Sequence, residues 1–253
     1  MMNILKRFKV DFSTYVLLLI YFLCGYIKNA LIIYLIVVFH EMGHVIISNI
    51  CGYKIKKITI YPFGGITETS NFLNSSIKYD LYVFCGGLLF QGILWMFLNF
   101  SGWLSVNCLS LFNKYNFFIF VFNLLPIIPL DVYLILNVIL NKFFSYYKTL
   151  WLSFFISTIL LFGFVYFYRS NFPVVLFLFY SLISYLKNIE ILYNKFILER
   201  YLYDFQFKKI KYFTSRNLRY LRRECFCYFK DNRHYISEKK LLTKKFDKSV
   251  SFW

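Results

Sequence analysis

The chain is 253 residues long, 59% hydrophobic, 24% aromatic and 16% charged, with a formal net charge of +17. A soluble domain is typically about 25% charged and about half apolar, so this composition excludes an ordinary soluble globular protein and predicts a polytopic α-helical membrane protein. Six apolar stretches reach or approach the roughly 20 helical residues that cross a bilayer, at residues 12–27, 30–50, 80–100, 115–140, 150–168 and 172–192.

Lys6, Arg7 and Lys9 precede the first stretch. No small-residue cleavage site follows it and further stretches do, which predicts a retained helix rather than a signal peptide. With a cytosolic N-terminus, 26 of the 29 basic residues fall on the cytosolic side, and only Lys28, Lys114 and Arg169 fall opposite. That asymmetry predicts cytosolic termini. The positive charge then suits the anionic lipid of the cytosolic leaflet and gives no argument for nucleic acid.

The second stretch carries His40-Glu41-Met42-Gly43-His44 inside an otherwise apolar run. On a helix this spacing puts two imidazoles one turn apart on one face, where both reach one metal ion, and the Glu beside them can take a proton from water on that metal. With 3 His in the chain, the motif arises by chance in roughly one of a thousand chains of this composition. Ionisable groups at membrane depth are costly and usually functional.

Residues 53–79 form the one sizeable polar insertion. Lys57-Ile58-Thr59-Ile60-Tyr61 alternates, Pro62-Phe63-Gly64-Gly65 breaks the run, and Ile66-Thr67-Glu68-Thr69 continues it. A strand and turn are predicted, extending to a hairpin that could accept an extended peptide at its edge. The third stretch opens with Cys85-Gly86-Gly87, small residues that permit close helix approach, and holds Gln91, a polar group that needs a partner.

The fourth stretch contains Asn123-Leu124-Leu125-Pro126-Ile127-Ile128-Pro129-Leu130-Asp131. Two prolines three apart predict a broken helix, which membranes tolerate where it is buried in protein or lines a cavity. Asp131 then opens a renewed helix, as a helix cap or as a metal ligand. Catalytic zinc takes three protein ligands, and Asp131 suits the third place better than Asp80, which sits at the edge of the polar loop.

Residues 187–253 hold 17 basic and 7 acidic side chains. An amphipathic surface on anionic lipid is expected there, with few clear strands after residue 205 and His234 at the surface. The six cysteines imply no disulfide framework, and Cys225-x-Cys227 lacks the second pair of a metal site. The division expected is a membrane domain over residues 1–195 and a basic cytosolic tail over 196–253.

The His40–His44 motif together with the Asn123–Asp131 phrase resembles the site-2 protease family of intramembrane zinc metalloproteases. Tyr61-Pro62-Phe63-Gly64-Gly65 and Leu198-Glu199-Arg200-Tyr201 look like its sporulation branch, which acts on the membrane-associated precursor of sigma factor K (pro-sigma-K). The resemblance implies one Zn2+ per chain bound by His40, His44 and Asp131, with Glu41 as general base. It also implies substrate contacts at Asn123 and at a membrane-associated loop of Phe63, Gly64 and Gly65. Its further implications are regulatory membrane-protein partners and a place in a bacterial cell membrane, including the one around the forespore. Val132 follows Asp131 where the family usually has Gly. This departure leaves open an inactive relative that binds membrane proteins without cutting them, and a broken helix with an intramembrane Asp also leaves open a metal-ion transporter.

Overall fold

The computed structural model describes residues 8–53, 55–61, 64–69, 73–167, 172–231 and 234–250. The chain divides into two compact units, Met1–Phe72 with Leu81–Leu125 and Leu73–Asp80 with Pro126–Trp253.

The first unit starts with strand β1 (Phe8–Val10) and helices α1 (Phe12–Leu23) and α2 (Ile27–Ile50). Strands β2 (Ile55–Tyr61) and β3 (Gly64–Thr69) follow, then helices α3 (Ile77–Ser101), of which all but the first turn belongs here, and α4 (Val106–Asn123). Helix α2 ends where Gly52 takes φ +78, a left-handed conformation that costs glycine nothing. The predicted hairpin is present: β2 and β3 pair antiparallel with Thr59 opposite Ile66 and Tyr61 opposite Gly64. An unanticipated β1 adds in parallel, Phe8 opposite Ile58.

The apolar faces of α2, α3 and α4 meet at Ile36, Leu94, Leu98 and Phe112, all buried. Nearer the motif, α2 and α3 touch backbone to backbone, and a Cβ placed on Gly43 would lie 2.3 Å from the Gly86 carbonyl oxygen. Small residues on both helices allow that approach, as the sequence predicts.

The second unit contains α5 (Asp131–Phe143), α6 (Tyr146–Phe167) and α7 (Phe172–Leu202), then β4 (Lys209–Phe213), β5 (Cys225–Asp231), β6 (His234–Ser237) and α8 (Glu238–Val250). The break expected at Pro126 and Pro129 separates α4 from α5. Its freed carbonyls are re-satisfied by serines, Ser157 Oγ donating to the Pro126 oxygen at 3.3 Å and Ser181 Oγ to that of Ile128 at 2.9 Å. Ile127 and Ile128 are buried beside them, which meets the condition for irregular backbone at membrane depth.

Three expectations need correction. Four helices, not six, are long and apolar enough to cross a bilayer among the described residues: Ile27–Ile50, Ile77–Ser101, Tyr146–Tyr166 and Val174–Leu202. The first apolar stretch forms only the 12 helical residues of α1, and the fourth is divided by its prolines between α4 and α5. The chain is also not all-α, because it carries two three-stranded sheets. The second sheet lies in the tail, where few strands were expected.

That tail sheet has β5 at its centre, parallel to β4 and antiparallel to β6. Cys225, Cys227 and Phe229 point inward and are buried. They share a core with Tyr146 and Leu150 of α6, with Ile189, Tyr193, Phe196 and Ile197 of α7, and with Leu242 of α8. Tyr146 stacks on Phe196 at 4.1 Å between centroids. Helix α7 is 31 residues long, about 46 Å at 1.5 Å per residue against a hydrocarbon core of about 30 Å. It is therefore longer than a straight crossing needs, and its final turns carry the sheet.

The buried charges Arg200, Glu238, Arg223 and Asp80 are paired. Arg200 Nη1 donates to Glu238 at 2.8 Å and to the Cys225 carbonyl at 3.1 Å, its Nε donates to Asn74 Oδ1 at 3.0 Å, and its Nη2 donates to the Arg222 carbonyl. Asp80 is not at a loop edge. It lies in the first turn of α3, fully buried, in an ion pair with Arg223. The adjacent Glu224 holds φ +53 and its carboxylate accepts from Ile77 N at 2.8 Å and Ser76 Oγ at 3.1 Å. A left-handed glutamate costs energy, and capping the first turn of α3 offsets it.

Candidate metal centre

His40, Glu41 and His44 all lie on α2 and are buried, at 5%, 7% and 8% exposure. Helical spacing puts the two rings in edge contact, centroids 4.9 Å apart, with their Nε2 atoms 3.2 Å apart. A tetrahedral zinc with Zn–N bonds of about 2.0–2.1 Å holds two ligand nitrogens about 3.3 Å apart, so the observed separation fits one ion shared by both rings.

The other ring nitrogens are engaged by α3. His44 Nδ1 is 2.8 Å from the Val83 carbonyl oxygen, and His40 Nδ1 is 3.2 Å from Gln91 Oε1. A carbonyl only accepts, so His44 carries its proton on Nδ1 and turns the Nε2 lone pair toward the shared space. Gly87 keeps that space open. A Cβ on Gly87 would lie 2.3 Å from His44 Nε2 and 2.6 Å from His40 Nε2.

Asp131 is the first residue of α5 and is buried at 9% exposure. His40 and His44 belong to the first unit and Asp131 to the second. Two imidazoles and a carboxylate match the donors that catalytic zinc sites use. Val132 lies in the first turn of α5. Among the described residues the only non-glycine with positive φ is Glu224, so Val132 imposes no backbone strain on its neighbour.

Asn123 ends α4, and its Nδ2 donates to the Ile119 carbonyl in the same helix at 3.1 Å. Gly64 and Gly65 open β3 opposite Tyr61 and Ile60, and Phe63 lies outside the described residues. His234 is exposed at the start of β6. Sequence reasoning missed Gly87 as the residue that keeps the imidazoles uncovered. Its signal, a Gly pair on an apolar helix, reads equally as helix packing.

Residues 28–107 match the model of peptidase family M50. The chain is 32% identical over 133 residues to stage IV sporulation protein FB of Bacillus subtilis, across 50% of this chain and 45% of that protein. It is 31% identical over 125 residues to a zinc metalloprotease of Methanocaldococcus jannaschii, across 47% of this chain and 36% of that one. The chain thus spans less than half the length of these curated relatives. Its fold matches the solved site-2 protease of Methanocaldococcus jannaschii with a TM-score of 0.55 at 22% identity, over 70% of this chain and 89% of that one. By its motif and these likenesses, residues 28–107 of the chain are similar to peptidase family M50, and its fold is similar to that of the solved site-2 protease.

Proposed function

We propose that this chain is an intramembrane zinc metalloprotease that hydrolyses a peptide bond in a membrane-associated proprotein, a sporulation sigma-factor precursor of the pro-sigma-K kind. The observation that carries this reading is the pair of Nε2 atoms 3.2 Å apart beside Glu41, all buried within an apolar helix. His40 sits 13 residues into α2, about 20 Å from its start, which is mid-bilayer depth. An ionisable triplet there has no cheaper explanation than chemistry.

His40, His44 and Asp131 are the ligands in this reading. Zinc held by them would supply Lewis acidity toward a scissile carbonyl and toward water. Glu41 takes the proton of the attacking water and passes it to the leaving amine. Gly87 leaves the imidazoles open to substrate. The substrate must enter unwound, since a helix hides its scissile carbonyl, and strand addition to the outer edge of the sheet of β1, β2 and β3 provides the extended form. Gly64 and Gly65 of β3, Phe63 and Asn123 are the substrate contacts proposed from the family likeness.

The relative from Bacillus subtilis is named for sporulation, and that likeness supports the precursor as substrate and the bacterial cell membrane, including the one around the forespore, as location. Regulatory membrane proteins and anionic lipid at the cytosolic face are the proposed partners. A cytosolic C-terminus is part of this proposal and is supported by the 17 basic against 7 acidic side chains of residues 187–253. The test is Glu41→Gln in the purified full-length protein. It is expected to keep zinc and to lose cleavage by a factor of at least about 100, the scale of general-base catalysis. Undiminished cleavage by zinc-loaded Glu41→Gln would remove Glu41 and the mechanism together.

A further inference from the structure

We infer that Gln91 is the positioning residue that fixes the tautomer of His40. The inference rests on the reading of His40 as a zinc ligand and adds a residue that the ligand motif does not include.

Gln91 is fully buried on α3. Its Nε2 donates to the backbone carbonyl of Asn116 on α4 at 2.9 Å, and its Oε1 faces His40 Nδ1 at 3.2 Å. These two contacts determine each other. A backbone carbonyl only accepts, so the NH2 end of the amide must face Asn116, because a flipped amide would set two oxygens against each other. The Oε1 that then faces His40 also only accepts, so His40 must carry its proton on Nδ1. The Nε2 lone pair is left pointing at His44 Nε2.

The consequence is electrostatic. His44 is held in the same tautomer by the Val83 carbonyl. Two lone pairs 3.2 Å apart repel unless a cation lies between them. Gln91 therefore does for His40, through a side chain, what backbone does for His44. It also makes the ring a stronger donor to metal, the usual effect of an acceptor on the far nitrogen. Of the two restraints, only the one on His40 can be removed by substitution.

Three measurements on the full-length protein in detergent test this. The first is the zinc dissociation constant of wild type, Gln91→Met and His40→Ala, by chelator competition. Gln91→Met keeps the length of the side chain and removes the acceptor. It is expected to bind zinc about 10- to 100-fold more weakly. The second is the visible spectrum of the cobalt-substituted protein, where a freed imidazole changes the ligand field and a merely structural lesion does not. Wild-type affinity and an unchanged cobalt spectrum in Gln91→Met, with affinity lost in His40→Ala, would overturn the role of Gln91 and leave the proposed function standing. Equal affinity in wild type and His40→Ala would overturn the proposed function itself. The third uses wild type alone and so does not depend on a variant folding. The chain has only 3 His, and ring-nitrogen NMR of the zinc-loaded protein is expected to show His40 and His44 protonated on Nδ1. A proton on Nε2 of His40 would sink the inference.

Discussion

Asp80 and Arg223 are 143 residues apart in sequence and meet at 2.5 Å with side chains 0% and 4% exposed. Ser75 Oγ also donates to the Asp80 carboxylate at 2.8 Å. Removing one member of a buried pair strands the other charge and costs about 3–5 kcal/mol, whereas replacing both by apolar residues is often neutral. Asp80→Ala is therefore expected to lower the unfolding temperature sharply. Asp80→Leu combined with Arg223→Met is expected to recover most of the loss. Thermal unfolding of the purified variants checks both. Zinc per folded molecule should stay at the wild-type level throughout, since Asp80 supplies no ligand.

The glycines of α2 and α3 separate packing from binding. Gly43→Ala sets a Cβ against the Gly86 backbone, which cannot yield, and should destabilise by at least about 1–3 kcal/mol. Gly87→Ala meets the imidazole nitrogens instead and should lower zinc content more than it lowers stability. Gly92, with nothing within 4 Å of its Cβ position, should accept Ala with no loss. Unfolding temperature and zinc content, measured on all three, should rank them differently.

Asp131→Ala is expected to lower zinc occupancy and eliminate cleavage, since two histidines leave a catalytic zinc one protein ligand short. Metal analysis of the purified variant decides it, and full occupancy would place the third ligand elsewhere. Val132→Gly should not raise activity. Val132 is helical, so Gly there adds only backbone entropy, about 0.5–1 kcal/mol of lost stability.

Cys227 should behave as an inert thiol. Burial, and then the charge of Glu238, push its pKa up to about 12. Its folded pKa therefore exceeds the unfolded value of about 8.5, and the folded state favours the neutral thiol. The stability this provides is complete below about pH 8.5 and drains away as pH climbs toward 12. At pH 8 iodoacetamide should label Cys227 only after denaturant is added, as mass spectrometry of the alkylated peptide would reveal.

The parts of this molecule written in one short-range pattern were legible. His40 and His44 are one turn apart, Lys57–Tyr61 alternates, and Pro126 and Pro129 cannot sit in a continuous helix. The parts that depend on a distant partner were not. Cys225-Phe226-Cys227-Tyr228-Phe229 is a strand whose two faces are both apolar, so its period of two is invisible until the inner face is seen against α7. Asp80 read as a loop residue because its partner arrives 143 positions later. Gln91 announced only that it needed a partner. That the partner is His40 follows from the close approach of α2 and α3 at Gly43 and Gly86.

The length of α7 has a consequence for how the chain is made. Tyr193, Phe196 and Ile197 form an oily strip in the last third of α7, and the strands that sheathe it are encoded downstream. During synthesis the strip emerges before its sheath exists. Each nascent molecule passes through an interval in which it is sticky, and a ribosome stalled near residue 205 would leave it so. Shortened forms ending there should self-associate even with every ligand of the metal centre in place.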